Sequence, residues 1–245
     1  MDMVLLDWTR MGKHYCLAGA VLDGDRIEIV RPLLAKFRDA PVRNVGWSAY
    51  LMDGYARWEL FELIGAERAD PQPPHVEDLW VRSLRPRGRS ATLAQRRAIL
   101  AATTVTPGQP VFGESLTIAH ASAHLAAGTG ARSLATLAVP AAGIRFSASL
   151  CEGADGPDVR AALGVSPLGS RLLPVKDHHL LLRAESAATN LTALVRKLEE
   201  IVHGMGDPVA VRLGLSRPFQ NDPERGPESC WLMIDGFFSF TDPQS

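Results

Sequence analysis

The chain has 245 residues, 46% of them hydrophobic and 22% charged, with a formal net charge of −1 at neutral pH. That composition belongs to a globular protein with enough apolar material for a real core, as one large all-β domain or two small ones. The charge argues against a generic polyanion binder but leaves room for a local basic groove, because phosphates respond to local potential.

The first elements are strands. Met3 to Thr9 and His14 to Leu22 are strand-like, Asp23-Gly24 is a turn signal, and Arg26 to Arg31 alternates Ile27 and Ile29 against Arg26 and Glu28. Pro32 is expected to close that strand. Residues 57–64 alternate as Trp58 and Leu60, then change phase to Phe61 and Leu63, the pattern of a β-bulge. Pro71 to His75 is a proline loop. Residues 82–97 hold six arginines and no acid, and Thr92 and Gln95 have capping-box spacing ahead of a short helix.

Thr103 to Pro110 is the expected boundary between a first unit, 1–104, and a second, 105–245. Strands are expected near Pro110 to Phe112, Ser133 to Val139 and Gly143 to Leu150, a loop over residues 151–170, and a short strand from His178 to Arg183. Asn190 to His203 is the clearest helix: Leu191, Leu194, Val195, Leu198, Ile201 and Val202 form one apolar stripe, and Gly204 stops it. Its expected place is over a barrel mouth. The chain finishes with two apolar strands. In the first, Val209, Val211, Leu213 and Leu215 share one parity, so Arg212 is expected on a polar face. In the second, Leu232, Ile234, Phe238 and Phe240 are expected on one face, with a bend at Gly236.

Several of these segments together resemble the bacterial dual OB-containing domain family, whose members pair two oligonucleotide/oligosaccharide-binding barrels. The pieces that carry the resemblance are Asp7-Trp-Thr-Arg-Met11, Cys16-Leu-Ala-Gly19, Ile29-Val-Arg-Pro32, Pro74-His-Val-Glu-Asp78, Val111-Phe-Gly113, Gly130-Ala-Arg-Ser-Leu134, Arg212 to Phe219 and Cys230-Trp-Leu232. Their order and spacing matter more than any one of them. The resemblance spans residues 3 to about 240, except the segment 151–177. It implies a mainly β protein of two tandem OB-like β-barrels with a few accessory helices, and a nucleic-acid partner rather than a reaction.

Candidate binding residues follow from charge and shape. Arg82, Arg85, Arg87 and Arg89, with Arg96 and Arg97 beyond them, could track a phosphate backbone, because a guanidinium offers bidentate contacts and stays charged. Arg10, Lys13, Arg31, Arg212 and Arg217 stand at strand ends or on polar strand faces, where an OB groove would form or where they brace the rim. Trp47 and Tyr50, in the Gly46 to Tyr50 loop, are the aromatic candidates for stacking on bases. His75, Glu77 and Asp78 could hold a divalent ion, but turn capping and pairing with arginines is the preferred interpretation. His120 with His124, and Asp177-His178-His179, lack a third ligand.

No nucleophile elbow, P-loop or dinucleotide fingerprint appears, so no enzyme activity, cofactor or metal is expected. Cys16, Cys151 and Cys230 are odd in number and lack metal spacing, which favours free buried thiols. Met1 to Trp8 lacks the basic start of a secretory leader, and no run approaches the roughly 18 apolar residues of a membrane span, so the expectation is a cytoplasmic protein with no membrane partner. Two functions are weighed: a non-enzymatic module for single-stranded DNA or RNA, and an accessory protein-interaction module of a bacterial defence or regulatory system. A metal-dependent hydrolase using His75, Glu77 and Asp78 stands third.

Overall fold

The computed structural model describes residues 1–11, 14–24, 26–39, 46–48, 54–119, 122–150, 156–219 and 228–241. Among the described residues the protein is mainly β, 49% strand and 18% helix, with a curled half-barrel sheet and three α-helices. The curled sheet is built from β1 (Asp2–Met11), β2 (His14–Asp23), β3 (Arg26–Leu34), β4 (Trp47–Ser48), β5 (Glu59–Ile64), β6 (Glu67–Arg68), β7 (Asp78–Val81) and β8 (Ser83–Ser90). Its strand order is β6-β7-β3-β2-β1-β5-β8, with β4 on β2. β7 and β8 are separated by Arg82 alone, yet β7 pairs parallel with β3 while β8 pairs antiparallel with β5.

A second, five-stranded sheet has the order β11-β15-β16-β10-β9, formed by β9 (Thr117–Ala119), β10 (Ser122–Ala126), β11 (Leu134–Val139), β15 (Val209–Leu215) and β16 (Ser229–Ser239). A third holds β12 (Arg145–Leu150), β13 (Pro157–Ala162) and β14 (Leu173–Pro174). The helices are α1 (Leu93–Thr103), α2 (His178–Glu185) and α3 (Leu191–His203). No helix among the described residues is long and apolar enough to cross a membrane.

Local chemistry explains most elements. The Thr92 hydroxyl accepts from the Gln95 amide and the Gln95 side chain accepts from the Thr92 amide, so both ends of a capping box start α1. The Asn190 side chain caps α3, whose Leu194, Leu198, Ile201 and Val202 are buried. The helix packs against β12 and α2. The bulge expected in residues 57–64 lies between Glu59 and Phe61, where the pairing with β8 shifts register.

Five expectations need correction. His178 to Arg183 is helical, because Asp177 accepts from the Leu180 amide as an N-cap and Leu180, Leu181 and Ala184 turn to one side; a short apolar run does not distinguish helix from strand. Residues 157–162 form β13, paired along β12, inside what was expected to be a loop. Residues 110–112 are irregular, although Phe112 is fully buried. Pro32 does not end β3, since its parallel partner lies at Leu79 and its carbonyl accepts from Trp47 Nε1 at 2.9 Å. Phe238 leaves the face of Leu232 and Ile234, because the β16 register shifts across Asp235.

Two bulges set the contact between the halves. In β1, Leu5 pairs with Gly19 and Asp7 with Ala18, leaving Leu6 as the extra residue. Met3, Leu5 and Trp8 therefore face the interior of the curled sheet, while Val4, Leu6 and Ala20 pack outward with Ala210 and Phe238. Asp7 falls on that outward side. In β16 the extra residue is Asp235, between the partners of Arg212 and Leu213. Each shift swaps the side of every later residue, and each puts an acid at the seam between the sheets.

Candidate binding cavity between the two β units

Three arginine–carboxylate pairs cross the seam. Arg212, 1% exposed, donates from Nε to both Asp7 oxygens at 3.1 and 3.2 Å and from Nη2 to Oδ2 at 2.6 Å. Its Nη1 donates to Thr136 Oγ1, which stands opposite it in the β11–β15 pairing. Arg217 grips both Asp78 oxygens at 2.5 and 2.9 Å. Arg57 meets Asp177, which is itself fully buried and also accepts from the Phe237 amide. A buried charge is costly unless paired, and here each partner comes from the opposite half.

A denser network surrounds the second pair. Glu77 accepts from Ser133 N, Ser133 Oγ and Leu134 N, at 2.7, 2.9 and 3.2 Å. Arg31 donates to Ser133 Oγ at 2.9 Å and to His75 Nδ1 at 2.6 Å. Because arginine only donates, Nδ1 accepts, and the proton sits on Nε2, which donates to Ser216 O at 3.0 Å. Burial, then the charges of Arg31 and Arg217, push the His75 pKa far down, so the ring is neutral. Burial would lower the Arg31 pKa, but Asp78 and Glu77 outweigh it and the net direction is up. His75, Glu77 and Asp78 thus act as turn-side partners for arginines and backbone. Among the described residues no group of three or more His, Cys, Asp or Glu is placed to hold a metal.

Beside this network lies a cavity of about 300 Å³, lined by Asp7, Thr9 and Met11 of β1, His14, Cys16, Leu17 and Ala18 of β2, Arg31, Leu134, the run from Leu215 to Phe219, and Met233 and Asp235 of β16. Its walls are mostly apolar. Asp235 is 5% exposed, and no hydrogen bond reaches its Oδ1. Burial, then the nearby Asp7 charge, push its pKa up to about 8 against the pull of Arg31 and Arg212. Gly214 leaves room for it, since a Cβ there would fall on the Asp235 carboxyl and force it to shift. Phe219, 38% exposed, stands at the cavity, with the tilted ring of Trp231 at 6.3 Å and His124 tilted against Trp231 at 4.7 Å.

The sequence-derived candidates scatter. Arg31, Arg212 and Arg217 are enclosed or engaged at the seam, so the polar face expected for Arg212 is in fact a buried contact with β1. Trp47 belongs to β4 rather than a loop and is buried at 3% exposure. Arg82, Arg85, Arg87 and Arg89 are exposed on or beside β8; Arg85 pairs with Glu62, Arg87 with Asp2 and Glu62, and Arg89 with Asp2. Arg10 is half-buried, its amide bonded to Lys176 O. Lys13, Tyr50, His120 and Cys151 lie outside the described residues.

Cys16 and Cys230 are free thiols; burial raises both, Cys230 to about 11. Asp7, Asp235 and Phe219 were missed as site residues. For the first two, the only available sign was an acid within an apolar strand.

No protein-family model, curated protein or solved structure matches the chain. Asp7, Cys16, Arg31, His75, Glu77, Asp78, Ser133, Arg212, Arg217 and Cys230 lie at the seam or its cavity.

Proposed function

We propose that the chain is a non-enzymatic module that binds single-stranded nucleic acid across the mouth of the cavity between its two β units. In this reading residues 1–104 and 105–245 are two tandem OB-like barrels. Support for the first comes from strand pairing: β1, β2 and β3 form a meander, and the run 78–90 joins β3 in parallel to β5, which returns to β1. This pairing is compatible with a five-stranded Greek-key arrangement and supports the reading. In such barrels oligonucleotides lie on the face around strands 2 and 3, and here that region carries the cavity.

The observation that carries the reading is Phe219, an exposed ring backed by Trp231 and His124 beside a cavity that arginines line. Rings in series suit successive bases, each worth about 1–3 kcal/mol of stacking. The β8 arginines supply a second, electrostatic contribution. Their pairs with Asp2 and Glu62 are exposed and worth about 0–1 kcal/mol, so exchanging a carboxylate for a phosphate costs little.

Fluorescence anisotropy with labelled decamers of DNA and RNA tests the reading. Binding is expected at low salt and should weaken steeply as salt rises. Phe219→Ala should weaken it by roughly 5- to 150-fold, the equivalent of the stacking energy. No binding to any strand at about 20 mM salt, where the phosphate contribution is greatest, would end it.

A protein-interaction module is the second reading, favoured by Leu182. This side chain is 56% exposed on α2 and lines an open groove with Arg57, Arg96 and Arg183. Leu182→Glu should leave strand binding unchanged if the first reading holds.

A further inference from the structure

The cavity contains one buried polar group that its surroundings leave unmatched. Asp7 is satisfied by Arg212, Arg217 by Asp78, and Arg31 by His75 and Ser133. Asp235 lines the same cavity, yet its Oδ1 has no hydrogen-bond partner. The β16 bulge turns this side chain over Gly214 and so fixes where the carboxyl sits. With a pKa of about 8, the carboxyl keeps its proton at neutral pH. A neutral carboxyl presents a donor and an acceptor side by side, the complement of an N–H next to a carbonyl or ring nitrogen.

Resting on the strand-binding reading, we propose that the cavity receives one unpaired nucleobase, whose hydrogen-bonding edge pairs with the Asp235 carboxyl, and that Asp235 distinguishes bases from other groups on the strand. The volume of about 300 Å³ lies at the small end of organic-ligand pockets, which span about 300–1,000 Å³. Leu17, Leu134, Leu215 and Met233 supply apolar walls for a flat ring, and Phe219 stands at the rim. A phosphate fits poorly, because the lining arginines are already engaged and Asp7 would repel it. A purely apolar guest would leave Asp235 as unmatched as before.

The test uses the full chain and two probes: the four free nucleosides by calorimetry, and decamers with or without bases by anisotropy. Asp235→Leu should weaken nucleosides and base-bearing decamers about tenfold, the usual discrimination of a paired hydrogen-bonding edge, and leave a fully abasic decamer unchanged. Asp235→Asn, which keeps a donor beside an acceptor, should bind like the parent. It should also lose the weakening that the parent shows from pH 7 to 9. Asp7, Cys16, Arg31, Arg212 and Asp177 surround Asp235 and are common to both proteins, so the difference isolates the one carboxyl.

A cooperative melting transition in each variant establishes that it is folded. If decamers bind but Asp235→Leu affects neither probe, the base pocket is wrong and strand binding stands. If nucleosides bind through Asp235 and decamers do not bind, strand binding is wrong and the pocket stands. No binding of either probe removes both.

Discussion

Arg212→Met is the most direct test of how the halves are held together. The substitution keeps an unbranched side chain of similar reach, so the packing among Ala210, Gly214 and Thr136 changes little. It removes all three contacts to Asp7 and the contact to Thr136. Asp7, only 1% exposed, then remains buried beside Asp235 with no cation in contact. Stripping one partner from a buried pair costs about 3–5 kcal/mol, mostly the penalty of the charge left behind. For a chain of this size each kcal/mol lowers the melting temperature by about 2–4 °C, so the expected fall is roughly 6–20 °C. Urea unfolding followed by tryptophan fluorescence gives the free energy directly. Asp7→Leu combined with Arg212→Met should recover more than half of the loss, because no unpaired charge then remains. A cost below about 1 kcal/mol for Arg212→Met would refute the reasoning, since it would mean that the pair is as weak as one on the surface.

Other outcomes follow from the same buried groups. Asp235 binds a proton more tightly folded than unfolded, so its contribution is complete below about pH 4 and lost by about pH 8. Stability should therefore fall with pH between 6.5 and 8, by at most about 1.4 kcal/mol per pH unit, and Asp235→Asn should flatten that slope in pH-dependent urea titrations. Gly214→Ala should destabilise by about 1–3 kcal/mol, as overpacking does, and less in an Asp235→Ala background where the obstructing carboxyl is gone. His75 and His179 run the other way: burial, reinforced by nearby arginines, holds both neutral, His179 with a pKa of about 3. The unfolded chain protonates them near pH 6.5, so melting temperature should drop from pH 6.5 to 5 and His179→Phe should lessen the drop.

The elements legible in the sequence are those decided by neighbours along the chain. Apolar strand-like runs revealed β1 and β2, alternation revealed the start of β3 and β12, the Thr92–Gln95 spacing announced α1, and the apolar stripe announced α3. The phase change after Leu60 foretold a bulge, since an extra residue shows directly as broken alternation. Where the code was ambiguous, expectation failed. Residues 178–183 are too short for helix and strand periods to separate, and the cap from Asp177 decides between them.

The candidate site was legible only as types of residue, not as a place. The arginine-rich segment and the segment from His75 to Asp78 stood out, yet Glu62, the partner of Arg85, lies 23 positions away and Ser216, the partner of His75, lies 141 away. Local sequence specified most strands and their turns, whereas the bulges that bend β1 and β16 show only in the strand pairing. Tertiary packing alone decided that Asp7 meets Arg212 across 205 positions, that an apparently polar strand face is interior, and that Asp235 Oδ1 is left without a hydrogen bond. The reason is physical: backbone periodicity is set by neighbouring residues, whereas burial and charge pairing depend on which distant surfaces exclude water together.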